Sequence, residues 1–182
     1  FGDRLAGNLS GGMKQKLALS CALIHKPELL ILDEPTTGVD ADSRKEFWEM
    51  LHTLKDEGIT IVASTPYMDE ADQCDRVALI DNGEILSIDT PQHVAASFNK
   101  KLYGLKADST YQLLNALKAY KYADSVQPFG EFVYYTDVRE LMDEAELLSY
   151  LRDENVEGVQ IKGLKPAIED VFIDLMKEPD HG

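Results

Sequence analysis

Leu29-Leu30-Ile31-Leu32 is an unbroken apolar run that leads into Asp33-Glu34-Pro35. A run this short, stopped by a proline, predicts a strand buried on both faces, as in a parallel sheet. Before it, a helical pattern runs from Lys14 to about His25, with Ser10 placed as its N-cap. His25-Lys26-Pro27 ends that helix, because the residue before a proline is driven away from helical angles. After Pro35, the turn-rich stretch Thr36-Thr37-Gly38-Val39-Asp40 precedes a helix over 41–57. Phe47, Met50, Leu51 and Leu54 recur there at helical spacing, Asp40 or Asp42 can cap it, and Gly58 closes it. Ile59–Ser64 predicts a second buried strand. A short helix from Tyr67 to about Asp72, a strand over 76–81 and a return strand over 84–89 come next. The last two flank Asn82-Gly83, a strong hairpin signal. Pro91 opens another short helix to about Ser97.

From about Lys100 the pattern changes. Strands are predicted at 101–107, 123–128, 132–137 and 156–162, with helices at 110–120 and 143–155. That order, β-α-β-β-α-β, is the ferredoxin-like one. A last amphipathic helix runs from Pro166 to about Lys177, with Ile168, Val171, Phe172 and Leu175 on one face. The predicted fold class is therefore α/β over residues 1–97, mostly parallel sheet with helices, followed by a small α+β domain over 98–182.

The 182 residues carry a net charge of −15. Residues 1–91 hold 8 basic against 17 acidic residues, and residues 92–182 hold 10 against 16. Both halves are acidic, which argues against a phosphate-backbone partner such as nucleic acid. No apolar run approaches the roughly 18 residues of a membrane span. Cys21 and Cys74 share no metal or redox spacing, which fits a reducing cytoplasm, and the four histidines are scattered. The chain opens at Phe1 with no signal peptide, and it is expected to be a piece of something longer.

Two stretches carry candidate chemistry. Ligands of open α/β sheets sit beyond the carboxyl ends of the strands, so Asp33 and Glu34 are placed to hold a metal and to handle a proton. The alternative is that they only solvate a strand exit. Gly11 and Gly12 fall in a first helical turn, where each costs up to ~1 kcal/mol against alanine. Glycine helps there when another backbone or a ligand comes very close. A helix N-terminus with free N–H groups also suits a phosphate.

Three segments then fall in order: Leu9-Ser10-Gly11-Gly12-Met13-Lys14-Gln15, Leu29–Pro35, and Gly38-Val39-Asp40. Together they resemble the signature motif, Walker B motif and D-loop of an ABC ATPase. Tyr67–Arg76, Asp81–Glu84 and Leu164–Phe172 narrow the resemblance to the ATPase subunits of drug-export-type ABC transporters, and to the first ATPase domain of tandem-fused subunits. In that family two ATP molecules bind between two domains. The resemblance implies that Asp33 holds Mg²⁺, largely through water, and that Glu34 orients or deprotonates the attacking water. It implies that Ser10, Gly11 and Gly12 contact the γ-phosphate held by the partner domain, and that Asp40 couples the two sites. The implied partners are a second ABC ATPase domain, in the same polypeptide or a homologous subunit, and transmembrane permease subunits. The implied location is cytoplasmic, on the inner face of the membrane.

The sequence departs from the family twice. No glycine is followed by lysine, so no Walker A loop is present, and that loop is expected upstream of Phe1. In addition, the family's switch histidine is replaced by Pro66, which has neither imidazole nor backbone donor. An asymmetric pair is therefore expected. This domain would hold ATP at an impaired site and donate a working signature. A DNA-maintenance ATPase head would carry coiled coils, and no long heptad pattern occurs. A translation factor of the tandem ABC type would want basic linkers, which the charge opposes. A non-catalytic regulatory or interaction module, with the ferredoxin-like half binding a ligand or partner, is the remaining alternative.

Overall fold

A computed structural model describes residues 5–176. They form two compact units divided after Val77.

In the first unit, a single 3-10 turn at Ala6–Asn8 leads into α1 (Gly11–Leu23). The Ser10 side chain caps it by accepting from Met13 N. α1 stops short of the proline, with Lys26 in the left-handed region at φ 47°. β1 (Leu29–Leu32) and β2 (Thr60–Ala63) pair in parallel, Leu29 opposite Thr60 through Leu32 opposite Ala63. α2 (Ala41–Asp56) crosses over between them, capped by Asp40. Gly58, at φ 96°, lets the chain turn back from α2 into β2. α3 (Met68–Ala71) is one turn long.

The core of this unit is Leu19 from α1, Leu30 from β1, and Phe47, Trp48 and Leu51 from α2. The expectation that β1 is buried on both faces is met on one face only among the described residues. Leu30 is 5% exposed, but Leu29 and Ile31 are 51% and 71% exposed, and Val62 on β2 is 54%. The core helices pack on the Leu30 face of the pair, and alternation along a strand turns Leu29 and Ile31 the other way.

The second unit begins within β3 (Val77–Asp81), which forms a two-stranded sheet with β4 (Glu84–Asp89) across Asn82-Gly83. Both turn residues have positive φ, 48° and 84°, as a type I′ turn requires. α4 (Pro91–Ala96) follows, with Thr90 as cap and Pro91 at its first position.

The rest of the unit comprises β5 (Leu102–Lys106), α5 (Thr110–Ala119), β6 (Ala123–Phe129), β7 (Phe132–Asp137), α6 (Glu144–Asp153) and β8 (Gln160–Leu164). The sheet order is β6-β7-β5-β8 and every pairing is antiparallel, the ferredoxin-like arrangement expected from the element order. β8 starts later than its apolar pattern suggests. Asn155 and Gly158 have positive φ, and Val156 N donates to Leu151 O, so Val156 is spent closing α6. Leu105, Leu113, Leu117, Val133, Tyr135, Leu147 and Leu151 are buried in one cluster. α7 (Ile168–Leu175) packs on α4. The expected extension of α7 to Lys177 lies outside the described residues. No helix among the described residues is long and apolar enough to cross a membrane.

Candidate functional site

β1 delivers Asp33 and Glu34 to its carboxyl end, and both are exposed. Glu34 turns the chain sharply, at φ 43°. For a residue with a Cβ that backbone needs support, and Ser64, just past β2, supplies it. Its Oγ accepts from Glu34 N at 2.9 Å and donates to Asp33 Oδ1 at 2.6 Å. Ser64 N in turn donates to Leu32 O. Thr37 Oγ1 donates to Glu34 Oε2 at 3.1 Å, and the Thr37 amide donates to Glu34 O. The two carboxylates are thus oriented outward by hydroxyls on either side.

The second cluster is built where α1 and α2 begin. Gly12 is buried. A Cβ there would stand 2.6 Å from Ser43 Cβ and 2.7 Å from Ser43 Oγ, and one at Gly11 would stand 3.2 Å from Gly38 O. Of the two reasons for glycine in this turn, close approach of protein accounts for Gly12: the first turn of α2 lies against it. Asp40 Oδ1 accepts from Ser43 N at 2.9 Å. That bond, the Ser43 side chain and further amides hold the Asp40 carboxyl below its ordinary value, so it is an anion at the start of α2. The first-turn amides of α1, at Gly11 and Gly12, have no intrahelical acceptor.

The structure therefore brings Ser10, Gly11, Gly12 and Asp40 into one corner, and Asp33 with Glu34 into another. Among the described residues no hydrogen bond or ion pair joins the two corners directly. Nor is there a group of three or more His, Cys, Asp or Glu side chains able to cage a metal. A Mg²⁺ ion needs no such cage, since it is held by one or two carboxylates plus water and phosphate. Asp33, anchored through one oxygen and exposed, fits that role.

A family model described as "ABC transporter" matches residues 1–37. The "Probable multidrug ABC transporter ATP-binding protein YbhF" of Escherichia coli (strain K12) is 37% identical over 180 residues, covering 97% of this chain. The chain belongs to the ABC transporter ATP-binding protein family. A second relative of this ABC protein is the "Nod factor export ATP-binding protein I" of Rhizobium sp. (strain N33), 33% identical over 176 residues and 95% of the chain. The chain spans 30% of the first relative's length and 55% of the second's. Among solved structures, cbiO1 from Clostridium perfringens, "part of the ABC transporter complex cbiONQ", aligns over 50% of this chain and 38% of its own. Its identity is 34% and its TM-score 0.47.

Ser64, Thr36, Thr37, Thr65, Glu70 and Arg44 also belong to this constellation, and sequence reasoning gave none of them a role. Hydroxyl residues cluster after both strands, at 36–37 and 64–65, which is a signal of a polar edge. Glu70, however, reads like any surface acid in an acidic stretch, and only the tertiary structure buries it.

Proposed function

We propose that this chain is the signature-bearing part of an ATPase subunit that drives export through an ABC transporter. In this reading residues 1–97 belong to the ATPase domain and 98–182 form its accessory domain. The names of the two relatives, one a multidrug transporter protein and the other an export protein, support the direction. The observation that supports the reading is a signature turn packed against α2 together with an acid pair whose neighbouring loop carries a proline. Gly11 and Gly12 supply first-turn amides with no intrahelical acceptor, Ser10 caps the turn, and α2 packs on Gly12. Asp33 and Glu34 are oriented by Ser64 and Thr37, yet the loop beyond Ser64 continues into Pro66.

ATP with Mg²⁺ supplies the phosphoryl group and the charge that neutralises it, and positioning with electrostatics does the rest. Asp33 would hold the ion through water. Glu34 would orient the attacking water or take its proton. Ser10, Gly11 and Gly12 would donate hydrogen bonds to the γ-phosphate carried by a second ABC ATPase domain, in the same polypeptide or a homologous subunit. Asp40 would sit at that interface. Pro66 can donate no hydrogen bond to phosphate or water, so the site that uses Glu34 turns over slowly while the site that uses Ser10 is active. Transmembrane permease subunits complete the assembly on the inner face of the membrane, and nucleic acid has no part in it.

The test is steady-state ATPase of the full-length protein in two variants. Ser10→Arg is expected to abolish turnover and Glu34→Gln to change it by less than about twofold. A severe loss in Glu34→Gln would show that the Pro66 site works, and would sink the asymmetric reading.

A further inference from the structure

Glu70, on α3 in the first unit, is 4% exposed. Its Oε2 accepts from Thr65 Oγ1 at 2.6 Å and from Thr36 Oγ1 at 2.9 Å. Thr36 stands two residues after Glu34, and Thr65 immediately precedes Pro66. Thr65 Oγ1 also accepts from Tyr67 N at 3.1 Å, which closes the turn around Pro66. One carboxylate oxygen therefore ties together the two loops that leave β1 and β2.

The other oxygen, Oε1, has no hydrogen bond. The cation facing it is Arg44 Nη1, at 3.9 Å. Arg44 also pairs with Asp69 at 3.6 Å, and its guanidinium lies 4.5 Å over the Tyr67 ring. Arg44 is in the first turn of α2, next to Ser43, and Ser43 is the residue pressed onto Gly12. A buried carboxylate is expensive to desolvate, and a packing role alone would be better filled by an apolar side chain. Here the charge has two hydroxyls on one side and a guanidinium on the other, and those partners belong to the loop after β1, the loop after β2 and the first turn of α2.

We propose that Glu70 is a positioning residue that links the Asp33–Glu34 edge, through Arg44 and the first turn of α2, to the signature turn at Gly12. The local site is then more than a poor catalytic centre. Its geometry sets how Ser10 to Gly12 are presented to the partner. This rests on the reading that Ser10 to Gly12 serve a partner's site.

The test uses the full-length protein and two readouts. In hydrogen–deuterium exchange without nucleotide, Glu70→Ala is expected to speed exchange of the Met13 and Lys14 amides about tenfold, and Glu70→Gln, which keeps a hydroxyl acceptor, by less. Both amides are protected in the unmodified protein by bonds to Ser10. Acceleration confined to residues 64–71 overturns the link. In ATPase assays Glu70→Ala is expected to lower kcat about tenfold with KM for ATP within about twofold, and by the same factor in a Glu34→Gln background. Arg44→Met should act alike, with the double variant falling no more than about twofold further. An unchanged kcat, or an effect that vanishes with Glu34→Gln, overturns the proposal. If the unmodified protein fails to hydrolyse ATP, the transport reading fails, and the exchange readout still decides the link.

Discussion

Gly12→Ala should destabilise the first unit even though alanine is the better helix former. The new Cβ would lie 2.6 Å from Ser43 Cβ and 2.7 Å from Ser43 Oγ. Ordinary carbon–carbon contact is about 3.5–4.0 Å, so α1 and α2 would have to separate by roughly 1 Å. Overpacking of this kind costs about 1–3 kcal/mol. Alanine returns up to ~1 kcal/mol in a helix interior and less in a first turn. The net loss is about 1–2 kcal/mol.

The assay is urea unfolding followed by Trp48, the single tryptophan in the chain, 8% exposed on the core face of α2. With a slope of about 2 kcal/mol per molar urea, the midpoint should fall by about 0.5–1 M. Ser43→Gly removes the opposing Cβ, so the double variant should recover about 1 kcal/mol relative to additivity. Gly11→Ala, whose Cβ would meet only Gly38 O at 3.2 Å, is the control and should shift stability by less than about 0.5 kcal/mol. A midpoint for Gly12→Ala at or above the unmodified value would refute the argument, as would strict additivity with Ser43→Gly.

Three further outcomes are expected. Ser64→Ala removes the hydroxyl that links Glu34 N and Asp33 Oδ1, and should cost about 1 kcal/mol by the Trp48 assay; a shift below about 0.3 kcal/mol would show that Glu34 holds its turn without it. In the second unit, burial pushes the Asp137 carboxyl up, but hydrogen bonds from Arg139 and the Tyr135 hydroxyl outweigh it, and its pKa lies below the ordinary 3.8. A lowered carboxylate contributes stability above its unfolded value and loses it as pH falls through the folded value. Tyrosine circular dichroism should therefore show the second unit weakening below about pH 4, whereas Arg139→Leu, which removes a group that lowers the Asp137 carboxyl, should be less stable at pH 7 and lose less of its stability on acidification; identical acid profiles would contradict this. Finally, the 182-residue chain by itself should give no saturable heat with millimolar MgATP in calorimetry, because no glycine precedes a lysine to form the phosphate-cradling loop. Clear saturation would contradict it.

Much of this protein is written locally. The caps at Ser10 and Asp40, the turn at Asn82-Gly83 and the β-α-β-β-α-β order follow from short-range spacing and backbone chemistry, and all four are present in the structure. The acid pair after the apolar run was legible for the same reason. A strand's exit is fixed by where its apolar residues stop. What the sequence could not determine was set by neighbours distant along the chain. Leu29 and Ile31 are as apolar as Leu30, but among the described residues helices cover only the Leu30 face of the β1–β2 pair. Gly12 reads as a phosphate glycine, and only the approach of Ser43 shows that it is also a packing glycine. Glu70 has the same side chain as any surface acid. Its burial between Thr36, Thr65 and Arg44 exists only once residues up to 34 positions apart have been folded together, because a carboxylate keeps its charge inside a protein only where the fold brings the donors to it.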